Sequence, residues 1–132
     1  MSIERARLAL EGLSIGDAFG EQLLHAGPHA RVLALTHRTE PHGRMWKWTD
    51  DTAMAVSIVE TLAERCVVDP DALAERFARR YMLDPGRGYG RGAHQVLGEI
   101  AAGAPWSSAA PQLFGGQGSC GNGGGMRAAP IG

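Results

Sequence analysis

Residues 48–66 read "WTDDTAMAVSIVETLAERC", and this stretch decides the fold. Most of its residues after the two aspartates are apolar. The polar side chains recur at helical spacing along one stripe: Ser57, Glu60, Thr61 and Glu64. An apolar surface that covers the rest of a helix has to pack against other elements. The pattern therefore predicts a mostly buried helix from Asp50 to about Cys66.

The segments after this helix are also helical in their periodicity, and no convincing alternating strand is found. Asp69 and Pro70 supply an N-cap and a first-turn proline for a helix that runs to about Met82. A further helix is predicted from about Ala93 to Ala102, because glycine and proline follow it. The sequence therefore predicts an all-α fold.

Two segments are predicted to be irregular. Residues 25–45 mix proline, glycine and histidine, which is typical of a long connection. We expect its histidines to lie at the surface: His25, His29, His37 and His42. Residues 106–132 contain too much glycine for a helix before the last few residues.

The N-terminal segment is predicted to be a helix that begins after Ser2, a good N-cap residue. Its core face carries four apolar residues: Ile3, Ala6, Leu10 and Leu13. Gly12, Gly16 and Gly20 recur every fourth residue, which predicts a bare face that another backbone approaches. In that setting we expect Asp17 to point inward.

Length and charge limit the class of protein. The 132 residues correspond to a single domain, 1–132. The formal net charge is −1 with interspersed signs, so the chain lacks the basic stripe that nucleic-acid binding requires. No run approaches the roughly 20 apolar residues of a membrane span, and the N-terminus does not resemble a secretory signal. We therefore expect a cytoplasmic protein that binds neither nucleic acid nor membrane, with Cys66 and Cys120 as free thiols.

Thr49, Asp50 and Asp51 stand where the buried helix begins, and they have two interpretations. Hydroxyl and carboxylate oxygens cap free backbone N–H groups, and acids in the first turn complement the helix dipole. The same three side chains can also supply oxygen ligands to a hard cation such as Mg²⁺ or Mn²⁺. One cap suffices for a helix, and adjacent carboxylates near a core repel each other unless a cation lies between them. Three possible capping side chains are more than the helix needs, and this excess favours a metal site.

Two glycine-rich stretches are further candidates for ligand binding. In "GNGGGMR" at 121–127, bare backbone N–H groups can approach ribose hydroxyls or a diphosphate, although a flexible linker has the same composition. The stretch "GRGYGRG" at 86–92 is most simply a turn into the next helix. Its Tyr89 is a weaker candidate for lining an adenine or phosphate pocket.

Three motifs together resemble a known family. "GDAFG" at 16–20, "WTDDTAMA" at 48–55 and "GNGGGMRAAPIG" at 121–132 occur in the order and approximate spacing of the ADP-ribosylglycohydrolase family, which includes the dinitrogenase reductase-activating glycohydrolase. The resemblance implies an all-α orthogonal bundle with a binuclear centre of two Mg²⁺ or Mn²⁺ ions. It also implies hydrolysis of the bond between C1″ of ADP-ribose and an acceptor, on a modified protein or a small derivative.

The resemblance also implies roles for individual residues. Thr49, Asp50 and Asp51 match the family's first set of metal ligands. Gly121, Asn122 and Gly123 match the family's loop around the distal ribose. Met126, next to them, is a further candidate for binding substrate. The family carries an acid a few residues after its first motif, but this chain has Leu24 there. The nearest acid is Glu21, one helical turn after Asp17, and it is either a catalytic substitute, with Asp17 in support, or an exposed helix charge.

One family motif does not occur in the sequence. It consists of two aspartates separated by one residue and followed by Thr or Ser, and it provides the second set of metal ligands in a C-terminal half. The resemblance thus implies that residues 1–132 form the N-terminal portion of the domain, with the other half supplied in cis or in trans. Two hypotheses stay open: a hydrolase, or an incomplete or non-catalytic relative that binds ADP-ribose-like ligands or acts as a structural module.

Overall fold

The computed structural model describes residues 2–40 and 45–132. Within these ranges it contains α-helices and short 3₁₀ turns but no β-strand. The helices are α1 (Ile3–His25), α2 (Pro28–His37), α3 (Asp50–Arg65), α4 (Pro70–Leu83), α5 (Arg91–Ala101) and α6 (Trp106–Gln112). The 3₁₀ turns lie at Leu113–Gly116 and Ala129–Ile131. The prediction of an all-α fold is confirmed.

Helix α3 forms the centre of the fold. Helix α1 packs along one side of it and α4 along another, and the turn Ala129–Ile131 contacts both α1 and α3. The buried character predicted for α3 is confirmed, since Ala55 is fully buried and Ile58 is only 2% exposed. Because the chain returns to α3 at Ala129–Ile131, the glycine-rich segment before it is brought close to the start of α3.

The apolar core consists of two clusters that follow each other along α3. The first joins α1 to the second half of α3: Ala6, Ile58, Val59 and Leu62. The second joins the first half of α3 to α5 and to the loop before it: Ala53, Met54, Tyr89 and Leu97. Phe77 of α4 packs against both clusters. The beginning of α3 is therefore fixed by residues that come from distant parts of the chain.

The polar stripe of α3 faces α4. Ser57 and Thr61 are buried, and their hydroxyls donate to the carbonyls of Ala53 and Ser57, one helical turn earlier. Arg80 of α4 donates to the Ser57 hydroxyl at 3.0 Å and forms an ion pair with Glu60 at 2.8 Å. These contacts satisfy polar groups that would otherwise be costly to bury.

The N-terminus of α1 is as predicted, but its glycine face is different. The Ser2 hydroxyl accepts a hydrogen bond from the Glu4 N–H, and Ala6 is 1% exposed. The prediction that another backbone approaches the glycine face is wrong. Among residues 2–40 and 45–132, a Cβ added at Gly12, Gly16 or Gly20 would meet no atom within 4 Å outside the helix's own turns. The bare surface of α1 instead borders a cavity, described below.

Two helices occur where irregular structure was predicted. Helix α2 lies within residues 25–45, and α6 lies near the start of residues 106–132. Helix α2 begins at Pro28, a residue that suits the first turn because it has no N–H to leave unsatisfied. His25, His29 and His37 are exposed as expected, while His42 lies outside the described residues.

The two cysteines are exposed and free, as predicted. Cys66 ends α3 in the left-handed conformation, with φ of 61°. Among the residues that the structure describes, no helix has the length and apolarity that a membrane span requires.

Candidate functional site

Asp17 fixes the start of α3 from the neighbouring helix. One of its oxygens, Oδ2, accepts from the Thr49 N–H at 2.7 Å, the Thr52 N–H at 3.2 Å and the Thr52 hydroxyl at 2.6 Å. The other, Oδ1, accepts from the Thr49 hydroxyl at 2.7 Å. The inward orientation predicted for Asp17 is therefore observed. Since both oxygens bind protein donors, the geometry gives Asp17 a holding role.

This arrangement bears on the capping interpretation of the acidic turn, Thr49–Asp51. The Thr49 hydroxyl accepts from the Asp51 N–H at 3.4 Å, which is a long hydrogen bond. Asp17 satisfies the next N–H of the first turn, that of Thr52, at 3.2 Å. Capping is thus shared by Thr49 and Asp17. The carboxylates of Asp50 and Asp51 are left for another role.

The carboxylates of Asp50 and Asp51 lie in an environment that disfavours their charged forms. Burial raises the pKa of Asp50, and the neighbouring Asp51 carboxylate raises it further. Burial also raises the pKa of Asp51, followed by repulsion from Asp17. Arg127 acts in the opposite direction on both pKa values. A divalent cation would relieve the same repulsion more completely.

The raised pKa values predict a pH dependence of stability in metal-free buffer. Above the ordinary pKa of 3.8, the folded chain binds more protons at Asp50 and Asp51 than the unfolded chain does. The two charges therefore destabilise the fold near neutral pH, and this penalty fades as the pH falls towards the raised pKa values. We expect the unmodified chain to gain melting temperature relative to an Asp50→Asn, Asp51→Asn variant when the pH is lowered from 7 to about 4, close to the ordinary pKa of 3.8. Thermal melts with chelator at both pH values measure the difference, and a constant difference would contradict it.

A cavity of about 730 Å³ opens beside the acidic turn. Asp50 and Asp51 lie on one wall of this main cavity. The glycine-rich loop 121–127 lines the same cavity, with its predicted substrate-binding residues among the lining groups: Gly121, Asn122, Gly123 and Met126. Two motifs that are 70 residues apart in sequence, from Asp51 to Gly121, are thus brought to one cavity.

A second cavity, of about 390 Å³, is also lined by residues of the turn. Gly16 and Gly20 of α1 line it, together with Glu21, Thr49 and Asp51. Asp51 therefore faces both cavities. Glu21 lies on the wall of this smaller cavity and accepts from His25 at 2.8 Å.

Arg127 stands out in the sequence as a specific residue among the glycines of the loop, although no role is assigned to it there. It lines the main cavity, and its Nε–H donates to the carbonyl of Gly123 in the same loop. Its guanidinium lies 5.1 Å from the ring centroid of Phe77, and burial lowers its pKa. The only available signal was its position directly after Met126 in a stretch otherwise rich in glycine.

Tyr89 lies in the core. Its side chain is 5% exposed and packs edge-on against Tyr81 with 5.1 Å between ring centroids. Burial raises the pKa of its hydroxyl. Gly88 and Gly90 on either side of it line the main cavity. The geometry thus makes Tyr89 the anchor of this loop, with its glycine neighbours on the cavity wall.

The donor groups of the acidic turn suit a hard cation. Thr49, Asp50 and Asp51 offer only oxygen atoms, which are the ligands that Mg²⁺ and Mn²⁺ prefer. In the described part of the chain, no group of three or more His, Cys, Asp or Glu side chains is arranged to hold an ion. The turn alone would thus offer a cation only a partial set of ligands, and other groups or water would have to complete it.

Comparison with known proteins places this geometry in a family. The family model for ADP-ribosylglycohydrolase matches residues 2–132. The chain is 41% identical to ADP-ribosylhydrolase ARH3 of Danio rerio, over 99% of the chain and 37% of that protein. It is 42% identical to ADP-ribosylhydrolase ARH3 of Homo sapiens, over 98% of the chain and 39% of that protein. A protein of Archaeoglobus fulgidus without a described function is 30% identical over 98% of the chain and 42% of its own length.

The chain spans about two fifths of the length of these relatives. The match to the family model nevertheless covers all but the first residue, and it includes the α1 glycine motif, the acidic turn and the glycine-rich loop. The chain therefore belongs to the ADP-ribosylglycohydrolase family.

Proposed function

We propose that this chain provides the ADP-ribose-binding and cation-binding part of a hydrolase that removes ADP-ribose from a modified acceptor. The bond to be cleaved is the N- or O-glycosidic bond at C1″ of ADP-ribose. The observation that carries the proposal is the main cavity, which is lined both by Asp50 and Asp51 and by the glycine-rich loop 121–127. A sugar held by the loop is brought next to two carboxylates.

The loop is suited to bind a sugar or a diphosphate. Its carbonyl at Asn122 accepts from the Met126 N–H at 3.0 Å, which closes one turn of backbone. Gly121, Gly123 and Gly124 line the cavity without a side chain. Backbone N–H groups without a neighbouring Cβ can approach hydroxyl or phosphate oxygens closely. We assign the positioning of the distal ribose to this loop, with Met126 as an apolar contact beside it.

Thr49, Asp50 and Asp51 would hold Mg²⁺ or Mn²⁺. The Thr49 hydroxyl donates its proton to Asp17 and accepts one long hydrogen bond from the Asp51 N–H, so one lone pair remains available as an oxygen ligand. Burial and, after it, repulsion from neighbouring carboxylates raise the pKa values of Asp50 and Asp51, and a bound cation would favour the charged forms of both side chains. When bound, such an ion supplies Lewis-acid assistance and lowers the pKa of a coordinated water. By analogy with the family, a complete site would contain two ions.

A proton carrier is also needed for glycoside hydrolysis. Two acids of α1, Asp17 and Glu21, line the smaller cavity together with Asp51, which also lines the main cavity. Both oxygens of Asp17 accept from Thr49 and Thr52, which leaves Glu21 as the acid without a part in holding the turn. We propose Glu21 for this role, with Asp17 holding the turn.

A second candidate function is an ADP-ribose-binding module without turnover. It is favoured because the described residues contain no group of three or more His, Cys, Asp or Glu side chains that could hold an ion, so the turn offers only one set of oxygen ligands. One set gives a hydrated cation only partial coordination by protein, which makes binding weak.

An assay of ADP-ribose release separates the two candidates. Peptides that carry ADP-ribosyl-serine or ADP-ribosyl-arginine are incubated with the chain and Mn²⁺ or Mg²⁺, and free ADP-ribose is followed by chromatography. We expect the 132-residue chain alone to bind ADP-ribose but to show little or no turnover. We expect turnover when the part of the Danio rerio relative that the chain does not match is fused to it or added in trans.

Turnover only in the combined protein, and its loss in an Asp50→Asn variant, would support the hydrolase. Binding of ADP-ribose without turnover in every combination would favour the module. Robust metal-dependent turnover by the chain alone would show that a second ligand set is dispensable.

A further inference from the structure

The loop between α4 and α5, residues 84–90, lies against the acidic turn. The carbonyl of Arg87 accepts a hydrogen bond from the Asp50 N–H at 2.8 Å. The next residue, Gly88, has φ of 93°, and a Cβ added there would lie 3.3 Å from Asp50 Oδ1. The loop therefore contacts Asp50 through the Arg87 carbonyl, and a side chain at position 88 would crowd the Asp50 carboxylate. Its exact position decides where the Asp50 carboxylate can lie.

The side chain of Arg87 fastens this loop to the residue before the turn. Its Nη1 donates to the Trp48 carbonyl at 2.9 Å, and its Cζ lies 3.7 Å from the centroid of the Trp48 ring. Its Nε forms an ion pair with Asp84 at 2.9 Å. The planar guanidinium thus uses its face and two of its edges at once, which a lysine cannot do.

We propose that Arg87 is a positioning residue that sets the geometry of the acidic turn for cation binding. Arg87 does not line either cavity, so it acts through the turn and not by touching a ligand. Tyr89 anchors the other end of the same loop in the core, where it is 5% exposed. Arg87 and Tyr89 together place Gly88 and the Arg87 carbonyl against Asp50. The inference rests on the proposed function only in so far as the turn binds a cation.

If Arg87 had a purely structural role, its removal would mainly lower the stability of the whole fold. The ion pair with Asp84 is exposed, with side chains 30% and 51% accessible, and such pairs contribute little to global stability. The contacts to Trp48 and Asp50, in contrast, concern the first residues of α3. Removal of the guanidinium should therefore loosen the turn more than it destabilises the fold.

The test compares Arg87→Met and Arg87→Lys with Arg79→Met, a matched removal of an exposed arginine from α4. Three quantities are measured: hydrogen exchange of the Asp50 amide in metal-free buffer, the Kd for Mn²⁺ from electron paramagnetic resonance, and the melting temperature. In Arg87→Met we expect faster exchange at Asp50 and Mn²⁺ binding weakened by roughly 10- to 100-fold, the usual effect of losing a residue that orients ligands. Arg87→Lys, which keeps the charge over Trp48, should recover part of both effects. Arg79→Met should change neither.

The outcomes show whether the role of Arg87 or the proposed cation site has failed. If the unmodified chain binds no Mn²⁺, the proposed cation site fails, while the exchange rate of the Asp50 amide still decides the role of Arg87. Unchanged exchange and affinity in a folded Arg87→Met variant would overturn the proposal. A fall in melting temperature with no local effect at Asp50 would also overturn it. If Arg87→Met does not fold, the comparison of Arg87→Lys with Arg79→Met carries the same decision.

Discussion

Replacement of Asp50 and Asp51 together by alanine is expected to abolish the stabilisation of this protein by Mg²⁺ or Mn²⁺. An ion that binds only the folded chain adds about 2.7 kcal/mol at 100 times its Kd. The double variant lacks both charged oxygens of the turn, so this gain should disappear entirely. In metal-free buffer the variant should melt close to the unmodified chain or above it, because the repulsion between the two carboxylates is removed. Thermal melts with and without millimolar Mg²⁺ or Mn²⁺ measure both effects.

A matched control removes the same charge elsewhere. Glu11 of α1 and Glu75 of α4 are exposed and line neither cavity. Their double alanine variant should retain the full cation-induced shift. An equal shift in the Asp50, Asp51 variant and in this control would mean that the turn is not the cation site.

Replacement of Gly123 by valine is expected to weaken ADP-ribose binding far more than it weakens the fold. A Cβ at this position would lie 3.0 Å from Nη2 of Arg127, whose Nε–H donates to the Gly123 carbonyl. The guanidinium has to shift, and the branched side chain then occupies the wall of the main cavity. Overpacking of this kind costs about 1–3 kcal/mol, which corresponds to roughly 5- to 150-fold in affinity if it falls on the bound state.

Gly27 provides the control for this substitution. It precedes α2, has φ of −58°, and an added Cβ would meet nothing within 4 Å. Gly27→Val should leave the affinity for ADP-ribose unchanged. Titration calorimetry of both variants, with melting curves beside it, separates a local effect from unfolding. Unchanged affinity in Gly123→Val would exclude the loop from the binding site.

The features that could be predicted from the sequence are those with local causes. Helix α3 follows from its 3.6-residue periodicity, and α1 and α4 follow from their caps at Ser2 and Asp69. Helix α2 was missed because Gly27 and Pro28 are typical of a turn as well as of a helix start. The meaning of Gly16 and Gly20 was also misjudged. A helix face without side chains leaves space beside it, but the sequence does not say whether another backbone packs there or a cavity remains.

The parts of the site that could not be predicted depend on contacts between distant residues. Asp17 and Thr49 are 32 positions apart, and their pairing requires the packing of α1 against α3. Arg87 contacts Asp50 through a backbone carbonyl, which leaves no trace in residue type. Only the resemblance to a family linked the acidic turn to the glycine-rich loop. The shared cavity now gives that link a physical basis.

The central claim is that the acidic turn and the glycine-rich loop form one cation-assisted site for ADP-ribose. Titration calorimetry of ADP-ribose into the unmodified chain, first with Mg²⁺ or Mn²⁺ and then with a chelator, tests it most directly. The Asp50→Ala, Asp51→Ala variant is titrated under both conditions. We predict that affinity is high only for the unmodified chain with cation present, and that the other three titrations give the same weak binding or none. Equal affinity with cation and with chelator, in both proteins, would contradict the claim.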